Sequence, residues 1–395
     1  MKQNKHLLTT LLSLWLCLFS FDSLHSQNKD ASNTVLPTEV ATIIAGMNKS
    51  TPIKLEYNKQ VQAYIDAYTI RRREHLSNII GRSQQYFPLF EQCLDKYGLP
   101  LELKNLAIIE SALDPRAKST SGAMGLWQFL YHAAAMFDLK ITTYTDERCD
   151  AIKSTEAACK YLQYLYRNFN DWHLALAAYN TGIVEVKKAI ERSGGKTNIW
   201  ELQPYLPEAA RSYIPAFIAA TYVMANYEKY HITPTPPRYT HLELDTVWVT
   251  KSLTFEQISK AINVSVEDLT MLNPIYTKNY IPYNNQTPSQ ITIPTEKTTL
   301  FIREEKKLHE TTAPSAQSML PPIEYERSKI IHIVDKGEYF HKIAMKYQCT
   351  VEDLMTWNKL QTRSVMAGQQ LVIWIKKPKE RFFFIQKENI NNNQI

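Results

Sequence analysis

The chain has 395 residues, 44% of them hydrophobic and only ten of them glycine, so it can build more than one packed core. Its 45 basic and 39 acidic residues leave a formal net charge of +6, which suits an anionic polymer as partner. Nucleic acid is a poor choice of polymer, because no basic stripe with interleaved aromatics is present.

Residues 1–26 read as a secretory signal peptide. Lys2, Lys5 and His6 form its basic end, residues 7–21 its apolar stretch, and Leu24-His25-Ser26 a cleavage site before Gln27. The apolar run is short for a spanning helix, so a membrane anchor is the rival reading. The expectation is an exported protein of the periplasm or cell envelope, with membrane association left open. Export leaves Cys93, Cys149, Cys159 and Cys349 where disulfides are permitted. Only Cys149 and Cys159 are close enough in sequence to suggest a bridge, the alternative being two buried thiols.

Residues 27–56 are polar and aperiodic, and read as a linker. From 57 to 232 the pattern is helical: Val61, Tyr64, Ile65 and Tyr68 recur at helical spacing, and a second run spans 84–97. Gly98-Leu99-Pro100 ends one helix and starts the next, predicted over 101–113 and apolar on most sides, with Asp114-Pro115 as its stop. Helices are also predicted over 157–169, 171–179 and 215–230. Pro234, Pro236 and Pro237 then mark a stiff, extended linker.

Beyond it a motif repeats. Val266-Glu267-Asp268-Leu269 and Asn273 return as Val351-Glu352-Asp353-Leu354 and Asn358, each in a strand, helix, capped turn, helix, strand sequence with Ser265 or Thr350 as cap. Two small β-α-α-β modules follow, at 242–296 and 330–376. A flexible tether joins them over 297–329, and a disordered tail runs over 377–395.

These repeats resemble LysM modules, a family that binds N-acetylglucosamine-containing glycans. Ile331-His332-Ile333-Val334-Asp335-Lys336-Gly337-Glu338 and Ala367-Gly368-Gln369-Gln370-Leu371 make the second copy the better match. The first departs from it, with Ser252 in place of the turn glycine and extra residues between Asn273 and Gln290.

Glu110 stands between Ile108-Ile109 and Ala112-Leu113. Such flanks disfavour its charged form and should raise its pKa toward the range of a general acid. A helix-surface glutamate is the bland alternative. Asp114 reads as a helix terminator rather than a second catalytic carboxylate, while Asp138, Asp146 and Glu147 read as surface or capping groups.

Three motifs around this residue are similar to the lytic murein transglycosylases, particularly the membrane-bound D type, which share a goose-type lysozyme fold. They are Glu110-Ser111 with Ser119, Gly122-Ala123-Met124-Gly125-Leu126 and Gln128; Ala178-Tyr179-Asn180-Thr181-Gly182; and Arg211-Ser212-Tyr213-Ile214-Pro215. The resemblance implies a mainly α chain, with a lysozyme-like helical catalytic domain followed by two LysM modules. It departs at Ala209-Ala210, where a glutamate is usual, at Ile183-Val184, and at Tyr131 and Ala133.

The same resemblance implies an enzyme acting on peptidoglycan glycan strands with no cofactor and no metal. Glu110 would protonate the β-1,4 oxygen between N-acetylmuramic acid and N-acetylglucosamine, then accept the C6 hydroxyl proton as a 1,6-anhydro ring closes. Ser111, Ser119, Met124, Gly125, Gln128, Tyr179, Asn180 and Tyr213 would face the substrate, with Tyr213 also placed to orient the Glu110 carboxyl. A wall-binding protein without activity and a lysozyme-type hydrolase are the alternatives.

Overall fold

A computed structural model describes residues 35–283, 288–308 and 325–378, apart from 336, 337, 339, 348, 350, 363 and 364. The leader over 1–26, Gly337, the Thr350 cap, the tether over 309–324 and the tail beyond 378 lie outside the described residues, while 325–329 of the expected tether are strand.

The first unit is all helix: α1 (Pro37–Met47), α2 (Lys59–Asp66), α3 (Arg73–Lys96), α4 (Leu106–Ser111), α5 (Tyr131–Met136), α6 (Ala151–Phe169), α7 (Trp172–Thr181), α8 (Ile183–Arg192), α9 (Ile199–Leu202), α10 (Glu208–Arg211) and α11 (Tyr213–Asn226). Local chemistry sets the starts of several of them. Asn58 caps α2 by accepting from Val61 N, Asp150 caps α6 by accepting from Ile152 N and Lys153 N, and Asp171 caps α7 by accepting from Leu174 N. The middle of the unit is α11, buried from Tyr213 through Val223 and packed on α2, α4 and α7. A helix apolar all round belongs inside a core, which is what this one forms.

Three sequence expectations change here. The linker expected over 27–56 contains α1, whose Val40 and Ile44, one turn apart, are buried in the core together with Ile53 and Leu55. The helix expected from 84 begins at Arg73 and runs through Pro88. The one expected over 101–113 is a 3-10 turn (Leu101–Asn105) followed by α4, which stops at Ser111 because Ala112 and Leu113 both turn left-handed, at φ 52° and 60°. Arg82 Nη1 donates to Ala112 O at 3.1 Å and helps hold that turn.

The two modules share one plan. In the first, β1 (Leu244–Val249) pairs antiparallel with β4 (Ser289–Pro294), Val247 opposite Ile291, around α12 (Phe255–Ile262) and α13 (Val266–Leu272). A short β2 (Leu253–Thr254) pairs with β3 (Tyr280–Ile281). The tether expected from 297 begins instead with α14 (Thr298–Leu308), which buries Phe301 in this module's core and lies on α12. In the second module β5 (Tyr325–Ile333) and β6 (Gln370–Pro378) pair antiparallel and pack with α15 (Phe340–Tyr347) and α16 (Val351–Asn358).

The repeated asparagine explains the repeat. Asn273 donates to Leu269 O at 2.9 Å and Thr292 O at 2.7 Å, and accepts from Thr292 N at 2.7 Å. Asn358 does the same with Leu354 O, Val372 O and Val372 N, at 2.8, 2.9 and 2.7 Å. Each amide thus ends a helix and clips the closing strand onto it, using donor and acceptor together.

The proline-bearing segment after 232 lies along α3 rather than standing free. Thr235 N donates to Ser77 O at 3.1 Å, and Ser77 Oγ donates to Thr233 O at 2.5 Å. The approach is so close that a Cβ on Gly81 would stand 1.7 Å from Thr235 O. The first module is docked as well, through the residues that make it diverge from its repeat. Asp146 N donates to Ile275 O at 2.9 Å, Thr277 N to Tyr144 O at 3.0 Å, and the rings of Tyr144 and Tyr280 lie 4.8 Å apart.

Candidate active site

Glu110 is the next-to-last residue of α4 and keeps partial exposure, although Leu106, Ala107, Ile108 and Ser111 around it are buried. Tyr213 at the start of α11 donates its phenol hydrogen to Glu110 Oε1. Burial pushes the Glu110 carboxyl up to about 7, with the Tyr213 hydrogen bond pulling in the other direction. A position at the carbonyl end of a helix adds to the reluctance to carry negative charge.

Behind the carboxyl is a tyrosine cluster. Tyr213 is 1% exposed, Tyr179 is 8% exposed, and the rings of Tyr161 and Tyr179 are 5.2 Å apart. Burial first, and the Glu110 charge second, hold the Tyr179 and Tyr213 phenols well above their ordinary value, so both stay protonated as donors. Tyr179 spends its hydrogen on Trp127 O at 2.7 Å.

The loop after α4 is fastened on both sides of the catalytic candidate. The Ser111 hydroxyl lies 3.0 Å from Ala107 O and 2.9 Å from Leu126 O, tying the residue next to Glu110 to the loop. Met124 and Phe129 exchange backbone hydrogen bonds at 3.1 Å each. Trp127 is fully buried, packs on Phe90 at 4.9 Å and donates to Thr155 Oγ1 at 2.9 Å. Beneath the loop Arg148 donates to Gly122 O at 2.9 Å and Phe129 O at 3.1 Å, while its Nη2 meets Asp146 Oδ2 at 2.6 Å.

Several residues expected to face substrate do not. Ser111 has no exposure and serves the loop, and Tyr213 is buried and reaches Glu110, the carboxyl-orienting place also expected of it, rather than open space. Tyr179 is occupied by Trp127 O. Gly125 is a packing glycine: at φ 83°, a Cβ there would stand 1.9 Å from Arg148 O. Ser119, Met124 and Gln128 keep partial exposure. The Gln128 amide nitrogen is engaged with Ala117 O and Gly125 O at 3.0 and 2.9 Å, which leaves its carbonyl oxygen for a ligand. Asn180 is 5% exposed, and its Oδ1 is buried without a partner in the free protein.

Asp114 accepts from Arg116 N at 2.8 Å, as a turn carboxylate does. Asp146, expected as a surface or capping group, is the cap, accepting from Arg148 N at 3.1 Å, but it is 4% exposed and also paired with the Arg148 guanidinium. Neither Arg148 nor Phe90 stood out in the sequence, because a loop-bracing arginine and a core aromatic carry no spacing signature. Among the described residues, no group of three or more His, Cys, Asp or Glu side chains comes together as a metal site requires. A separate cleft of 590 Å³ opens between Arg82, Tyr86, Arg116, Pro237 and Met271, and Glu110 is not in its lining.

Comparison with known proteins agrees with this layout. Residues 88–202 match the transglycosylase SLT domain, 243–310 the LysM-like domain of lytic transglycosylase MltD, and 332–374 the LysM domain. The chain is 29% identical to membrane-bound lytic murein transglycosylase D of Escherichia coli K12 over 308 residues. That match covers 77% of this chain and 66% of the relative, just under two thirds of its length. Among solved structures, the 70 kDa soluble lytic transglycosylase of E. coli aligns at 24% identity and a TM-score of 0.33, covering 51% of this chain and 33% of that one. The chain thus carries an SLT transglycosylase domain ahead of an MltD-type LysM-like domain and a LysM domain.

Proposed function

We propose that this chain is a peptidoglycan lytic transglycosylase, cleaving the β-1,4 bond between N-acetylmuramic acid and N-acetylglucosamine without water and leaving 1,6-anhydromuramic ends. The observation that carries the reading is the Glu110 carboxyl, partly exposed, pushed up to about 7 by burial and held by the Tyr213 phenol.

A group with that pKa is substantially protonated at neutral pH and can give its proton to the glycosidic oxygen. Once ionised, it is a competent base for the C6 hydroxyl of the muramic residue. Two-carboxylate glycosidases place the second group roughly 5–9.5 Å from the first. Glu110 alone can supply both proton transfers, as acid while protonated and as base once ionised. This supports a single-acid route, in which the substrate's acetamido oxygen stabilises the anomeric carbon.

Ser119, Met124, Gln128 and Asn180 are the residues assigned to substrate. Asn180 Oδ1, an acceptor without a partner, takes a hydroxyl or amide hydrogen of the sugar. The LysM-type modules bind N-acetylglucosamine-containing glycan, and by holding the polymer they raise its concentration at the cleft. The protein works in the cell envelope, where this polymer lies. Among the described residues no helix is long and apolar enough to cross a membrane.

Digestion of purified sacculi, with the muropeptides resolved by mass spectrometry, tests the reading. Anhydro-muramic products are expected. Ordinary reducing ends would replace it with a lysozyme-type hydrolase, and binding without any product would leave a wall-binding protein.

A further inference from the structure

Cys93 on α3 and Cys159 on α6 lie where the two helices meet, and neither belongs to the site described above. The contacts flanking them fix the register. Lys96 Nζ and the Tyr97 hydroxyl both donate to Glu156 Oε1 at 2.9 Å, and Gln163 Nε2 donates to Tyr97 O at 3.0 Å. Positions 93, 96 and 97 share one face of α3, and 156, 159 and 163 one face of α6, so the cysteines are brought together inside this ladder. Both are free thiols here, and each influences the other's ionisation. Cys149, whose spacing from Cys159 suggested a bridge, lies in the turn after Asp146, and the two are separate buried thiols, the alternative the sequence left open.

We propose that Cys93 and Cys159 form an intramolecular disulfide, a crosslink of α3 to α6 made by exchange with an external disulfide, either a small molecule or a protein. Cys93, the half-buried member, loses its proton to solvent and attacks one sulfur of RS–SR. A Cys93–S–S–R bond forms and RS⁻ leaves, to be protonated. Cys159, fully buried, then gives up its proton and attacks the Cys93 sulfur, expelling the second RS⁻. Two protein thiols are oxidised by two electrons and one external disulfide becomes two RSH.

Burial raises both thiols above their ordinary value, so the reactive thiolate is scarce and the exchange slow. That suits a structural staple set as the protein matures rather than a fast sensor. The staple also lies near the site, because Cys159 is two residues from Tyr161 on α6, whose ring is 5.2 Å from that of Tyr179.

The test uses the full chain, reduced and then incubated with oxidised glutathione, alkylated under denaturing conditions, digested and mapped by mass spectrometry. The expected product is a Cys93–Cys159 crosslinked peptide pair lighter by two hydrogen atoms. With it should come a Tm roughly 5–15 °C above that of the reduced protein. Cys93→Ser and Cys159→Ser should each remove the crosslink and the dependence of Tm on reductant. Cys93→Ala, at the half-buried position, serves if Cys159→Ser fails to fold. The proposal is overturned if both residues alkylate as free thiols, if either bridges to Cys149 or Cys349, or if a stable glutathione adduct remains on Cys93.

Discussion

The Tyr213 hydroxyl donates to Glu110 Oε1 across 103 residues of sequence, joining the start of the central helix to the end of a helix of six residues. The hydrogen bond favours the ionised carboxylate and so opposes the burial that raises its pKa. If Glu110 must begin protonated, cleavage should hold steady at low pH and fall as pH rises through about 7. Tyr213→Phe removes the opposing hydrogen bond, so the falling limb should move to higher pH while the plateau rate drops about 10-fold or more through lost orientation. A pH profile of muropeptide release checks both, and an unmoved limb would contradict the assignment.

Glu110→Gln should abolish cleavage while sparing retention on sacculi. It should also act on stability, with a sign that follows from the raised pKa. The folded protein binds the proton more tightly than the unfolded chain, whose value is 4.5. The wild type therefore loses stability as pH climbs from 4.5 to about 7, by up to roughly 3 kcal/mol. The neutral variant avoids that loss, so its Tm should exceed the wild-type value at pH 8 and approach it near pH 4.5. Thermal scans at the two pH values suffice.

Asn180 carries a buried oxygen with nothing to accept from in the free protein. Asn180→Ala should therefore cost little stability, while KM for soluble glycan rises about 3- to 10-fold for one lost hydrogen bond. A large fall in Tm with unchanged KM would show that the residue serves the fold instead.

Arg148 and Asp146 are both more than nine-tenths buried and satisfy each other beneath the loop. Arg148→Ala strands the Asp146 charge, leaves Gly122 O without its donor and takes one of two donors from Phe129 O. The expected loss is about 3–5 kcal/mol in urea unfolding, with activity falling as the loop loosens.

Gly81→Ala would place a methyl 1.7 Å from Thr235 O. The segment after 232 should lift from α3, and limited proteolysis between 232 and 243 should become faster than in the wild type. Sacculus cleavage per bound molecule is the second measurement, since it reports whether docking of the first module aids the catalytic unit.

Much of this was legible in the chain itself. Helical spacing at Val61 and Ile65, the Ser265 cap, and the repeated Val-Glu-Asp-Leu with its asparagine are local patterns. Local patterns write secondary structure and module identity, because backbone hydrogen bonds and amphipathic faces are satisfied within a few turns. The apolar flanks of Glu110 likewise announced a carboxyl that would resist ionisation. What misled was equally local: residues 27–56 are too polar to show a core-facing stripe, yet Val40 and Ile44 are enough to bury one face of α1.

Tertiary structure decided the rest, because it concerns pairs far apart in sequence. Only folding shows that Tyr213 meets Glu110, that Arg148 braces the loop, and that α6, which carries Cys159, packs on α3, which carries Cys93. Only folding shows that residues departing from the LysM repeat form the surface docked on Tyr144. Ser111 and Gly125 sit in the motif without reaching outward, since a sequence motif records that a position is constrained but not whether sugar or backbone constrains it. The sequence by itself determined which residues must be spared water; the packing of α4, α7 and α11 determined which of them a substrate can reach.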